Sequence, residues 1–204
     1  MTKLQLNKAV LSKKKIELKN YQKFLPSLDM KRKQLLALQK KAERDLNSLT
    51  LDQLILINDV GSKLPMLSQD IPDIGEMVSI EKVEVSWGNT LGVNLPEVKK
   101  VILFTHNYSY FATPIWLDSY IREFKCALEL SVRIKYQRHR LEILSSAVRK
   151  ATQKVNLFDK VLIPRTKEEL QRINISLADT ERAEVVISKI AKKKRLAITQ
   201  GGKL

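Results

Sequence analysis

Apolar residues recur at sevens over most of this chain, and the polar residues between them are those that favour a solvated helix surface. Leu4, Leu11, Leu18 and Leu25 form one series, and Tyr21, Leu28, Leu35, Ala42, Leu49 and Leu56 form a second, offset by three. Far along the chain Ile134, Leu141, Val148, Val155 and Leu162 repeat the period, with Leu144, Ala151 and Phe158 between them. A narrow stripe at this spacing is the seam of a coiled coil, in which two helices supercoil so that the stripes stay in contact. Two helices are therefore predicted, one over 1–61 and one from Pro114 to about Arg195, about 85 and 120 Å long at 1.5 Å per residue. Neither stripe is wide enough to cover an ordinary globular core, so each arm is expected to serve as the other's partner in an antiparallel pair.

The stretch between them breaks the pattern. Gly61, Gly75, Gly88 and Gly92 fall there, with Pro65, Pro72, Pro96 and Pro114. From Lys82 to Trp87 apolar and polar residues alternate, Gly88-Asn89 is a turn signal, and Leu91 to Leu95 alternates again, which predicts a β-hairpin turning near 88–90. The segment VKKVILFTHNYSY from Val98 to Tyr110 reads as a further strand or an extended crossing. The organisation is thus mainly α: an arm over 1–61, a compact middle with a hairpin over 62–113, and an arm with a basic tail over 114–204. Thr113 is placed as N-cap of the second arm with Pro114 at its first helical position.

Two prolines stand inside the arms, Pro26 and Pro164. Each removes a backbone donor and crowds the preceding turn, so a kink or short break is expected. If positions summing to about 190 lie level, Leu4 faces the region of Val186, Leu56 faces Ile134, and the two prolines bend the pair at one height.

Charge sharpens this picture. The net charge is +15, and it belongs to the arms: residues 1–62 carry a net +7, residues 63–114 a net −2 and residues 115–204 a net +10. In an antiparallel pair the two chain ends meet, and both are basic and free of acids: Lys3, Lys8, Lys13, Lys14 and Lys15 at one end, and Lys189, Lys192, Lys193, Lys194 and Arg195 at the other. Such charge suits nucleic acid, but Tyr and Phe do not interleave with the basic runs as stacking platforms would. A basic coiled-coil nucleic-acid-binding or scaffold protein is therefore the alternative reading. The single cysteine, Cys126, excludes an internal disulfide, suits a reducing compartment, and is expected to be a small packed residue. No apolar run reaches the roughly 20 residues of a membrane span. There is no phosphate-binding glycine loop, and His106 and His139 lack partners at metal-binding spacing, so neither catalysis nor a cofactor is expected.

The run VNLFDKVLIPR at 155–165, followed by ERAE at 181–184, with LDMKRKQLL at 28–36 and VSWGNTLGVNLPEV at 85–98, resembles the D-subunit family of the V-type (vacuolar and archaeal type) rotary ATPases. Members carry a "VNALE…VIPR…I…L…ERE…K" pattern on a long C-terminal helix. This chain departs from the family at Phe158, at Pro26 and at TPIWLDS, where the second arm begins. The resemblance implies a non-catalytic, cytoplasmic rotor shaft, peripheral to the membrane through its complex. It implies that the basic tip is an axle within the hexamer of catalytic and non-catalytic subunits. It also implies that the middle, with Val83, Val85, Trp87, Val93 and Leu95 as contacts, meets the small F subunit and the subunit capping the membrane ring.

Overall fold

A computed structural model of the chain describes residues 6–65, 77–109 and 113–201, with side chains as far as residue 195. Lys3, Leu4 and Tyr110 lie outside the described residues. The order of elements is helix α1 (Lys8–Lys63), strands β1 (Val78–Thr90) and β2 (Val93–Thr105), then helix α2 (Leu117–Leu157), which runs through a π-helical turn (Phe158–Leu162) into helix α3 (Ile163–Gly201). The chain divides into two units, one of residues 1–30 with 152–204 and one of residues 31–151.

In the unit of residues 31–151, α1 and α2 pair antiparallel. Gln137 Nε2 donates to the Ala42 carbonyl at 3.1 Å and Gln53 Nε2 to Ser131 Oγ at 3.4 Å. The seam is where the seven-residue stripe requires it: Leu35 and Ala42 on α1 and Ile134 and Leu144 on α2 are buried, while Leu49, Leu56, Leu141 and Val148 are half-buried beside them. Two apolar helix faces leave a furrow along their junction, and the hairpin fills it: Leu95, 3% exposed, joins Leu35, Ala42 and Leu144 in one cluster with Leu91 and Val93 packed against it. A second cluster, Val78 with Leu117 and Ile121, seats the base of the hairpin, and Leu103, Tyr108, Tyr120 and Phe124 close around it. Tyr108 donates its hydroxyl to Asp118 Oδ1 and ties the end of β2 to the first turn of α2. A two-stranded sheet is marginal alone in water; this one is held by the helices near its turn and at its base.

The hairpin is longer than the alternation indicates, and its turn is displaced. Gly88 and Asn89 are strand residues, paired with Leu95 and Asn94, and the turn is Leu91-Gly92, with φ of 56° and 78°. A two-residue hairpin loop needs positive φ at both central positions, which glycine adopts freely and leucine only at a cost. Leu91 holds that conformation because its side chain packs on the Leu35–Leu144 cluster, and Asn89 Oδ1 accepts the Gly92 N–H at 3.0 Å. Residues 98–105 are therefore the second half of β2 and no separate strand. Glu81 and Lys99 are skipped in the pairing, one on each strand, so two bulges of opposite sense cancel and the register beyond them is restored. Helix α2 begins at Leu117 and not at Pro114: the Thr113 hydroxyl donates to the Ser109 carbonyl at 2.9 Å and so caps nothing, and the Leu117 N–H bonds the Pro114 carbonyl at 3.0 Å.

In the unit of residues 1–30 and 152–204, the start of α1 pairs antiparallel with the end of α2 and with α3. Lys8 meets Glu181, Lys14 meets Glu169, and the rings of Tyr21 and Phe158 stack edge to face at 5.5 Å. Leu11, Leu18, Leu25 and Leu28 are half-buried, and Val155, Ile163, Leu170 and Ile173 are buried. Lys8 with Glu181 fits the expected register, whereas Lys14 with Glu169 and Tyr21 with Phe158 fall short of it and correct it there. Pro164 lies between Phe158 and Glu169, level with residues 14–21 of α1, whereas Pro26 lies beyond Tyr21, so the two prolines are not at one height. Likewise Gln53 bonds Ser131 and Gln137 bonds the Ala42 carbonyl, which sets Ile134 level with residues between 42 and 53 and not with Leu56. Seven-residue spacing defines a stripe but not how far one stripe slides along another; aromatic and charged contacts decide that. At Pro26 itself α1 is unbroken, and the nearby Ser27 hydroxyl donates to the Phe24 carbonyl at 2.9 Å.

Candidate partner-binding surfaces

The first surface is the far part of α3. Lys8 begins α1 and already pairs with Glu181 at 3.2 Å, so α3 continues past the last described turn of its partner helix. On that continuation Val185, Val186, Ile187 and Ile190 are 54, 54, 65 and 51% exposed, among Lys189, Lys192, Lys193, Lys194 and Arg195, all on the exposed surface. Residues 185–195 carry no acid. The structure thus adds an apolar component that charge counting alone does not reveal.

The basic residues at the start of α1 are placed differently from one another. Lys13 and Lys15 are exposed. Lys8 is committed to its exposed pair with Glu181, and Lys14 is three-quarters buried between Glu17 at 2.9 Å and Glu169 at 3.0 Å. Hydrogen bonds to Glu17 and Glu169 hold the Lys14 ammonium above its ordinary pKa. Burial by itself pushes the Glu169 carboxyl up, but hydrogen bonds from Lys14 and Arg165, the latter at 3.1 Å, outweigh it and leave the group below the usual carboxylate range. The depressed carboxylate contributes stability that is present above its unfolded pKa and lost as pH falls through its folded one; the raised ammonium contributes below its unfolded pKa and loses that contribution as pH rises through its folded one. At neutral pH both contributions are present. Glu169→Gln is therefore expected to lower stability by about 1 kcal/mol at neutral pH and to flatten the acid limb of a plot of urea midpoint against pH. An unchanged acid limb in the variant would refute the pairing as a source of stability.

The second surface lies on the unit of residues 31–151. Trp87, 62% exposed, stands opposite Pro96 on the face of the hairpin that Leu95 does not occupy, and Val83 and Val85 are half-buried on β1. Leu95, expected as a partner contact, is instead core, and Val93 packs against it; alternation places both on the face that meets the helices. Ile80, paired with Leu103, and Phe104, paired with Ser79, are 45 and 49% exposed on opposite faces of the hairpin and add apolar surface beyond the residues that the sequence pattern singles out. On α1, Leu51, Leu54, Ile55 and Ile57 are 56–59% exposed. That stretch has a signal in the sequence: LDQLILIN carries more apolar residues than a two-in-seven stripe uses.

Two other residues sit differently from their expected places. Cys126 is exposed and not packed. Leu162, assigned to the seam, is half-buried while its neighbour Ile163 is buried. Among the described residues no group of three or more His, Cys, Asp or Glu side chains could hold a metal ion, and no helix is long and apolar enough to cross a membrane.

What these surfaces define is a helical-pair protein whose exposed apolar and basic residues suit attachment to other chains. The model of the family described as the D subunit of ATP synthase matches residues 10–193, and the chain belongs to that family. It is 31% identical over 192 residues to the V-type ATP synthase D subunit of Borreliella burgdorferi, covering 94% of this chain and 95% of the relative. With the V-type ATP synthase D subunit of Chlamydia pneumoniae it shares 33% identity over 196 residues, 94% of this chain and 92% of the relative. With that of Chlamydia felis it shares 40% over 124 residues, 59% of this chain and 58% of the relative.

Proposed function

We propose that this chain is the central-stalk rotor shaft of a V-type ATPase or ATP synthase, coupling nucleotide chemistry on partner subunits to rotation of a membrane ion-translocating ring, and that it has no catalytic site of its own. The observation that carries the reading, beside family membership, is the α3 continuation with Val185, Val186, Ile187 and Ile190 exposed in a basic, acid-free stretch. An asymmetric helix end set in a ring of catalytic and non-catalytic subunits touches chemically identical sites differently. Each contact favours one conformation of its site by differential binding, and rotation passes that preference around the ring. Lysine and arginine contacts, screened and solvated, can be remade as the shaft turns; the valines and isoleucines supply the grip. At the other unit, Val83, Val85 and Trp87 are the contacts proposed for the small F subunit and for the subunit that caps the membrane ring. The complex places the chain on the cytoplasmic side, peripheral to the membrane.

Co-expression with the hexamer subunits and the F subunit, followed by isolation through a tag on the hexamer, tests this reading. The chain is expected to copurify at one copy per hexamer. A chain that remains outside every complex, yet is folded by circular dichroism, would refute it.

A further inference from the structure

The seam of the C-terminal helix does not keep one phase. Ile134, Leu141, Val148 and Val155 follow at sevens, but the next members are Ile163, Leu170 and Leu177, with Thr166 and Ile173 between them, buried at 4 and 0% exposure. From Val155 to Ile163 is eight residues. In an uninterrupted α-helix one surplus residue would swing everything beyond it about 100° around the axis and away from α1. The π turn at Phe158–Leu162 absorbs that residue: the Ile163 N–H reaches back five positions to the Phe158 carbonyl, and the seam resumes in phase.

This turn is also where, among the described residues from Leu117 on, the helix leaves the four-residue hydrogen-bond ladder. π-helical hydrogen bonding is rare, occurs mostly as single turns, and is frequent at functional positions. Pro164 follows directly, and the N–H it lacks falls where the ladder returns from five-residue to four-residue spacing. Asp159, Lys160 and Val161 face outward, so nothing in the core resists their rearrangement. Both flanks are anchored. Before the turn Val155 is buried. After it come buried Ile163 and Thr166, the latter donating its hydroxyl to the Leu162 carbonyl at 2.7 Å, and then the Lys14–Glu169–Arg165 cluster. Weak backbone between two fixed points concentrates bending and twisting at 158–164. Phe158, seated edge-on against Tyr21, gives the turn a defined resting position.

We propose that the π turn at Phe158–Leu162, together with Pro164, is a working joint of the shaft: it stores the surplus residue, and α3 bends and twists about it so that its exposed end can follow an asymmetric seat. The mechanical role rests on the rotor reading above; the local weakness of the helix does not.

The test removes the surplus residue. A full-length variant lacking Val161 and carrying Pro164→Ala should form a continuous α-helix with the whole seam in phase, and Pro164→Ala alone is the control that keeps the surplus. By hydrogen exchange on the free chain, wild-type amides at 158–166 are expected to exchange at least about tenfold faster than those at 141–155. Pro164→Ala should keep most of that difference and the deletion variant should abolish it. In the assembled complex the deletion variant is expected to hydrolyse ATP while translocating at least about twofold fewer ions per ATP. Equal exchange rates across 141–166 in the wild type would overturn the joint, and so would unimpaired coupling in the deletion variant. A deletion variant that loses its helical circular dichroism would overturn the phase assignment. A wild-type chain that does not copurify with the hexamer sinks the rotor reading instead, whatever the exchange rates.

Discussion

Leu144→Ala is expected to destabilise the unit of residues 31–151 by about 3 kcal/mol, within the range for emptying a fully buried leucine site. Leu144 is 1% exposed and meets Leu35, also 1% exposed, across the helical pair, while Leu95 of the hairpin closes the same cluster. Three elements therefore converge on one side chain, and none can move into the space without leaving its other contacts. Urea unfolding followed by circular dichroism measures the effect on the helices. With Trp116, which lies in the turn just before α2, replaced by Phe, the exposed Trp87 reports separately on the hairpin through its fluorescence. If the hairpin is held by this cluster, the fluorescence transition should move to lower urea along with the helical one. A shift under about 1 kcal/mol would mean that the cluster is not the principal support of the unit.

The other large effect concerns assembly. Ile187→Asp combined with Ile190→Asp is expected to leave the thermal midpoint of the free chain within a few degrees of wild type, because both residues are more than half exposed and substitutions at exposed positions seldom change stability much. Association with the hexamer should weaken at least about tenfold, since burying a carboxylate against a partner without a counter-charge is strongly unfavourable. Lys193→Gln with Lys194→Gln provides the contrast. Loss of exposed charge is expected to slow association and reduce its salt dependence, with little change in dissociation. Surface-immobilised hexamer and measured on- and off-rates separate the two. If the lysine pair governs dissociation and the isoleucine pair does not, the grip of this helix end is electrostatic.

The helical arms are legible in the sequence because each needs only local information: apolar residues at sevens, few glycines, and polar residues that favour helix between them. The hairpin is legible as a strand pair but not in its extent. Gly88-Asn89 is a strong local turn signal, and it loses to a turn at Leu91-Gly92 because Leu91 gains packing on the helices that no strand-turn-strand pattern contains. The same contact explains why Val93 and Leu95 read as partner contacts in the sequence: alternation shows that a strand has an apolar face, and only its neighbours show whether that face is already covered. The step from Val155 to Ile163 is present in the spacing. It is obscured because Leu162 continues the sevens by one more member, and the phase slip becomes evident only when burial shows which of two adjacent apolar residues faces α1.

By itself, then, the sequence determined the two long helices, their mutual dependence, the position of a hairpin between them, and the excess of positive charge at both chain ends, because periodicity and charge are properties of the chain alone. The tertiary structure decided the antiparallel register, the covering of Leu95, the commitment of Lys14 to Glu169, the exposure of Ile187 and Ile190, and the π turn that brings α3 back into phase. Each of these depends on which surfaces meet, and a stripe of apolar residues specifies that it must be covered without specifying by what, or at what height.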